Sequence, residues 1–409
     1  MASEVSIDIR SAAKDGRAPA VWLAAIVLVY LLLVGVATIG AGFKWASGGA
    51  EGAAAIFSFA RNPIVGVILG TLATALVQSS STVTSVIVGL VAGGVPVGIA
   101  VPMIMGANMG TTITNTIVSF GNLRERAAFR KSFEAATVHD FFNLYSILIF
   151  LPLEIAFHPL EKAGAVLAQF MAGSAQASIG GLNIMASVTK PAASAVMRVA
   201  ALLPEAAGAL CTIALGIGMV IVAVIYLGKV LRSVMTGKAK GIVDKAIGRG
   251  PASGIASGAV ATILVQSSST TTSLVVPLAG AGVLTTRQIY PFTLGANIGT
   301  CVTALLAATS STGASEFFAL QIALVHLLYN VLGVALFILI PFLRELPVRS
   351  SQWLGALVER NRGCAFGYIG AVFFVLPGMV FATEILFSPA APAAGVECGV
   401  SIEDCEPGD

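Results

Sequence analysis

Residues 78–85 read QSSSTVTS and residues 266–273 read QSSSTTTS, seven of eight identical at a separation of 188. The likeness continues outward from both. Upstream, Pro63, Gly66 and Gly70 match Pro251, Gly254 and Gly258 at the same offset. Downstream, GANMGT (106–111) matches GANIGT (295–300), and VHDFFN (138–143) matches VHLLYN (325–330). These stretches cover about 80 residues per copy, so the chain is built on an internal repeat.

Composition sets the medium in which the repeat folds. The 409 residues are 56% hydrophobic and only 11% charged, against roughly 25% charged in a soluble domain. Most of the surface must therefore face lipid. That implies an all-α integral membrane protein and excludes a soluble enzyme or a disordered scaffold. The net charge of +3 includes no basic block of the kind nucleic-acid binding needs. Cys211, Cys301, Cys364, Cys398 and Cys405 form no CxxC, so no zinc or redox motif is present and no cofactor is expected. The first seventeen residues are polar and the apolar run after them is long, so no cleavable signal peptide is expected. Forty-four glycines imply helices that approach closely.

The repeat divides the chain. Residues 1–61 hold an N-terminal tail and a first crossing over 20–41. Residues 62–158 form the first repeat: arms over 63–77 and 82–94, a broken helix near 97–119 and a crossing over 136–157. Residues 159–249 supply an extracytoplasmic connector, a crossing over 206–228 and a basic cytoplasmic loop with Lys229, Arg232, Lys238, Lys240, Lys245 and Arg249. Residues 250–343 are the second repeat, fractured over 251–309 and crossing over 317–343. Residues 344–387 hold a loop with Arg344, Arg349, Arg360 and Arg362 and a last crossing over 364–387; residues 388–409 are an acidic tail.

No charged residue lies between Asn62 and Leu123, and Arg124, Arg126, Arg130 and Lys131 then make a compact basic loop. Basic loops favour the cytoplasm. If 63–94 crossed fully, the loop at 124–131 would land outside; if it dips in and returns, that loop lands inside. The same parity governs 251–284. Arms of about 13–15 residues are also too short to span. Both QSSS segments are therefore expected to be re-entrant helical hairpins, in repeats of opposite orientation. Inverted-topology repeats are an architecture of secondary transporters, whose sites lie at matched helix breaks.

Broken backbone at membrane depth persists only where it is buried in protein or lines a polar cavity. Each QSSST concentrates an amide and four hydroxyls at such a break. Oxygen ligands suit a hard cation such as sodium; helix N-terminal N–H groups with hydroxyl donors suit an oxyanion. The alternative is that Ser and Thr only let helices pack closely. Asn108 and Asn297 fit either an ion ligand or a helix-turn device. His139/Asn143 and His326/Asn330, each four apart on one helix face, read as interhelical glue. Asp140 is an ionisable residue within a span and so a functional candidate; its counterpart is Leu327.

The paired QSSS motifs, GANMGTTITNTIV, FRKSFEAATVHDFFN with the following LPLE, and LGANIGTCVTALLAA resemble the type II sodium–phosphate cotransporter family, from about Ala20 to Leu386. The resemblance implies a bacterial symporter, multi-pass in the plasma (inner) membrane, importing inorganic phosphate with sodium by alternating access. It implies no enzymatic activity, and phosphate, sodium and membrane lipid as partners with no nucleic acid, leaving the oligomeric state open. Carried over by motif, Ser79, Ser80, Ser81, Ser267, Ser268 and Ser269 would surround phosphate. Gln78, Gln266, Thr82, Thr270, Asn108, Asn297 and Asp140 would serve the sodium sites and their supports. Vertebrate members carry a disulfide-closed loop between the halves and a further C-terminal hydrophobic segment; here 159–205 lacks cysteine and no such segment follows Phe387. The acidic tail is accordingly expected outside the cytoplasm, where Cys398 and Cys405 are close enough in sequence to pair.

Three other readings stay open on sequence alone. A carrier could take another oxyanion, such as sulfate, arsenate or a small carboxylate, although no Arg lies within 62–123 or 250–286 to clamp a carboxylate. An intramembrane serine hydrolase would need a QSSS serine activated by His139 or His326. A passive pore would need no coupling ion.

Overall fold

A computed structural model describes residues 18–174, 180–247, 249–311 and 314–387. The polar N-terminal tail and the acidic tail, with Cys398 and Cys405 that could either pair or stay free thiols, lie outside the described residues. Among those described, every regular element is helical. Seven helices are long and apolar enough to cross a membrane: Pro19–Ser47, Val97–Asn122, Arg126–Phe157, Glu205–Leu231, Thr286–Ala308, Ser315–Leu339 and Gly363–Val380.

In chain order the first half runs α1 (Ala18–Ser47), α2 (Ala50–Ile56), α3 (Pro63–Val77), α4 (Ser80–Ala92), α5 (Val97–Gly110), α6 (Ile113–Ser119) and α7 (Arg126–Phe157). Two helices follow, α8 (Pro159–Ser174) and α9 (Gly180–Ala200), and then α10 (Glu205–Ala246). The second half runs α11 (Pro251–Val265), α12 (Ser268–Ser273), α13 (Val276–Gly280), α14 (Thr286–Ala308), α15 (Ala314–Leu339), α16 (Pro341–Arg360), α17 (Gly363–Gly370) and α18 (Leu376–Phe387). A π-helical turn, Ala371–Val375, joins the last two.

The two halves pack alike. In the first, α3 lies along α5 so closely that a methyl on Gly70 would overlap the Met103 carbonyl, and one on Gly106 the Val67 carbonyl. In the second, α11 lies along α14, and the same overlap would put Gly258 into the Phe292 carbonyl and Gly295 into the Ile255 carbonyl. The glycines of the two motifs therefore serve backbone-to-backbone approach, which only a residue without Cβ permits. Each QSSS helix then crosses to the other half: α4 packs on α14, and α12 on α6.

The ends of the two helix pairs differ in where they lie. Past α4, Gly93 sits against the Gly40 carbonyl and Phe43, near the C-terminal end of α1. From that same end of α1 the chain runs through α2 into α3. The second pair begins after Arg249, and Gly280, the last residue of α13, abuts Ser132 and Asn122. That region holds the basic segments: Arg130 Nη1 lies 2.9 Å from Glu359 Oε2, Arg362 Nη2 donates to the Arg124 carbonyl (3.0 Å), and Arg287 Nη1 donates to Glu345 Oε1 (3.0 Å).

Several boundaries differ from expectation. The connector expected over 159–205 is the helical α8 and α9, and much of the basic loop expected over 344–363 is the helix α16. On α16, Ser351, Leu354 and Val358 are buried while Trp353 is exposed, so an amphipathic face packs on α7. The crossing expected from 136 begins at Arg126, because RAAFRKSFEAA consists largely of strong helix formers. The break expected near 97–119 falls at Thr111–Thr112, where Thr111 Oγ1 donates to the Ala107 carbonyl (3.0 Å) and Thr112 Oγ1 to the Met109 carbonyl (2.9 Å). Such side-chain bonds compete with the helical ladder. Its counterpart in the second half, α14, is continuous from Thr286 to Ala308.

Candidate functional site

Both QSSS motifs build the same local structure. Gln78 closes α3 in the left-handed region (φ 55°, ψ 30°), its N–H bonding the Thr74 carbonyl. Gln266 closes α11 in the same way (φ 54°, ψ 30°), onto the Thr262 carbonyl. A left-handed residue with a side chain costs about 1–2 kcal/mol, and both copies retain it. The next residue, Ser79 or Ser267, is extended and caps the following helix. Ser79 Oγ accepts from Thr82 N at 3.2 Å and from Thr82 Oγ1 at 2.9 Å. Ser267 Oγ accepts from Thr270 N at 3.2 Å and donates to Thr270 Oγ1 at 2.9 Å.

Capping uses one serine per motif. The other two in each, Ser80 and Ser81, Ser268 and Ser269, are buried on the first turn of α4 and α12. Their hydroxyls make no hydrogen bond with any described residue, although their backbone carbonyls accept from Thr84, Ser85, Thr272 and Ser273. Each motif thus presents two buried hydroxyls beside unsatisfied helix N-terminal N–H groups. That combination provides donors for an anion without a charged side chain.

The amides have other work. Asn108 Oδ1 accepts from His326 Nε2 (3.1 Å), and Asn108 Nδ2 donates to Asn330 Oδ1 (2.8 Å). Asn297 Oδ1 accepts from His139 Nε2 (2.7 Å), and Asn297 Nδ2 donates to Asn143 Oδ1 (2.8 Å). Each GAN asparagine is thus clamped by the His/Asn pair of the opposite half. Asn143 Nδ2 completes the link by donating to the Asn108 carbonyl (2.9 Å). His139, His326, Asn143 and Asn330 are all at most 1% exposed. Each Nε2 is given to an asparagine and neither Nδ1 has a hydrogen-bond partner among the described residues, so neither histidine is hydrogen-bonded to a QSSS serine as a hydrolase base would be.

Asp140 lies apart from this network. It is fully buried, and its Oδ2 accepts from Tyr368 Oη (2.8 Å) and Thr116 Oγ1 (3.4 Å), while Oδ1 has no partner among the described residues. Gln266 Oε1 accepts from Thr303 Oγ1 (3.0 Å), whereas Gln78 is exposed.

Some residues of the site escaped the sequence reading. Asn115 Oδ1 accepts from Thr272 Oγ1 (2.9 Å) and Ser273 Oγ (3.3 Å), tying α6 to α12. Its counterpart by the GAN alignment is Ala304, so the repeat could not reveal it. Tyr368 comes from a helix outside both repeats. Thr74 and Thr262 were within reach, because the repeat extends upstream as T-x-L-V-Q-S-S-S; both hydroxyls are buried and unpartnered.

Among the described residues, seven helices long and apolar enough to cross a membrane and buried donors at both helix breaks mark a multi-pass membrane protein. The model of the Na+/Pi-cotransporter family matches residues 31–187 and 219–358, and the chain belongs to that family. It is 32% identical over 417 residues to sodium-dependent phosphate transport protein 2B of Pongo abelii, covering 80% of this chain and 60% of that protein. It is 32% identical over 440 residues to sodium-dependent phosphate transport protein 2A of Rattus norvegicus, covering 91% and 69%. The chain thus spans about 60% of the length of the first of these relatives. No solved structure matches it.

Proposed function

We propose that this chain is a sodium-coupled symporter that imports inorganic phosphate across the plasma membrane by alternating access. The observation that carries the reading is the set of four buried serine hydroxyls, Ser80, Ser81, Ser268 and Ser269, left without partners among the described residues at two helix N-termini. Phosphate offers several acceptor oxygens to such donors. With no cationic side chain at either motif, co-bound sodium offsets the anion's charge. The names of the relatives point to the same pair of solutes.

In this reading α3–α4 and α11–α13 are re-entrant hairpins in inverted repeats that face opposite sides. Support comes from their ends. The first pair starts and returns beside the C-terminal end of α1, and the second beside the basic segments around Lys131 and Arg249. By the positive-inside rule that second end is cytoplasmic. The domain division at 62–158 and 250–343 follows, with 159–249 and 344–387 as connecting units.

Ser79 and Ser267 shape the two phosphate-binding turns from their cap positions, with Thr82 and Thr270 holding those caps. Asn108 and Asn297 support the site by holding the halves in register. Asp140, with one carboxylate oxygen unspent, is the acidic sodium ligand, and Gln78 and Gln266 contribute from the strained breaks.

The test is phosphate uptake by Ser80→Leu and Ser268→Leu, each measured beside Thr383→Leu at an exposed position on α18 away from the motifs. Both serine variants are expected to insert normally and to lose uptake. Normal uptake in both would reduce the motifs to packing elements. Competition by sulfate or arsenate against labelled phosphate identifies the preferred oxyanion.

A further inference from the structure

Two polar cavities lie at opposite ends of the molecule. One, of about 460 Å³, is lined by paired charges, with Arg130 bound to both Glu134 (2.7 Å) and Glu359 (2.9 Å). The other, of about 330 Å³, has a different character. Its polar lining is Lys44, Lys190, Ser194, Ser310, Ser311 and Ser315, and no Asp or Glu among the described residues contributes to it. Lys44 ends α1, Lys190 sits on α9, and the serines at 310 and 311 follow the end of α14. Neither lysine has an ion-pair partner among the described residues. Ser311 is only 7% exposed, lines the cavity, and its hydroxyl has no hydrogen-bond partner among the described residues.

The cavity's position gives this chemistry a use. Ala92 also lines it, at the C-terminal end of the helix whose first turn carries Ser80 and Ser81. At 1.5 Å per residue, the twelve steps from Ser80 to Ala92 put the cavity about 18 Å along α4 from the first QSSS motif. The helices α4 and α14 that flank the cavity are the same two that pack together towards that motif.

We propose that this cavity is a capture site for a small soluble oxyanion, inorganic phosphate on the reading above, on the face from which substrate enters. Two exposed lysines at the mouth of the cavity, without counter-charges among the described residues, concentrate anions by their summed field. The hydroxyls of Ser194 and Ser311 supply donors to a tetrahedral oxyanion, while that of Ser310 already donates to the Ala307 carbonyl (2.7 Å). The QSSS motifs have no cation of their own, so the capture site attracts the anion and the deeper site binds it together with sodium. The inference rests on the transport reading for the identity of the anion and not for the binding itself.

The experiment labels the lysines of the full chain in phosphatidylcholine vesicles with pyridoxal phosphate, trapped by borohydride and quantified by peptide mapping. Lys162, exposed on α8 and not lining the cavity, is the internal comparison. Inorganic phosphate at millimolar concentration is expected to suppress labelling of Lys44 and Lys190 severalfold and leave Lys162 unchanged. Chloride at equal ionic strength should protect neither. Equal protection by chloride, or none by phosphate, overturns the site. Protection by phosphatidylglycerol in the vesicle, with none by free phosphate, assigns the lysines to a lipid headgroup and also overturns it.

Uptake by Lys44→Gln/Lys190→Gln supplies the second arm. The KM for phosphate should rise roughly tenfold at low salt with the maximal rate retained, and the difference should shrink as salt screens the field. An unchanged KM refutes a role in entry. Phosphate protection in a chain that transports no phosphate would leave the site standing and remove the transport reading; normal uptake without protection would do the reverse.

Discussion

Replacing Asn108 by leucine removes both polar atoms from one half of the central clamp while conserving most of the volume. Two buried groups then lose their partners: His326 Nε2, which donated to Oδ1, and Asn330 Oδ1, which accepted from Nδ2. Leaving a buried polar group unpaired costs about 1–3 kcal/mol, although interhelical bonds in bilayers average only about 0.6 kcal/mol in double-mutant cycles. Taken together, these bounds give an expected loss of about 2–4 kcal/mol. The assay is reversible unfolding of the purified chain in mixed micelles, completed as a cycle with Asn330→Leu. The double variant should lose less than the sum of the singles, with a coupling near 1 kcal/mol. The clamp is repeated across the halves, so Asn297→Leu with Asn143→Leu should give a coupling of similar size. Additivity within about 0.5 kcal/mol in both cycles would refute the clamp. So would an Asn108→Leu protein of full stability whose apparent sodium affinity has fallen, because Asn108 would then be an ion ligand.

Other perturbations test different parts of the structure. Asp140→Asn should lower apparent sodium affinity more than protein abundance, and Tyr368→Phe should do the same more weakly, because Tyr368 only donates to the carboxylate; sodium titrations of uptake decide both. Gly70→Leu and Gly258→Leu should each sharply reduce the folded yield, since a side chain there meets the Met103 or Phe292 backbone, and size-exclusion profiles after extraction report it. Arg130→Ala should destabilise by roughly 1–2 kcal/mol more than Glu359→Ala, because it leaves Glu134, only 7% exposed, without its cation; equal melting shifts would contradict that.

What the sequence revealed was what recurs in it. The doubled QSSS, the matched glycines and the GAN motifs were visible because two copies must make the same helix break and the same backbone approach. Physical pairing across the halves was less legible. That Asn108 binds His326 and Asn297 binds His139 follows from how the two copies pack together, which no single copy encodes. Asn115 and Tyr368 stayed hidden for a related reason: each acts once, opposite a partner far away in sequence. The helices α8, α9 and α16 look like connectors in the sequence because their charge and modest hydropathy hide an amphipathic pattern, which tertiary packing makes evident.

The central claim is that sodium moves with phosphate through a site shared by the two halves. The most direct measurement is accumulation of labelled inorganic phosphate in proteoliposomes holding the purified chain, with an inward gradient of sodium, potassium or choline. The account predicts uphill accumulation with sodium alone, abolished when the sodium gradient is collapsed. Equal phosphate entry under all three cations, reaching equilibrium and no further, would contradict it.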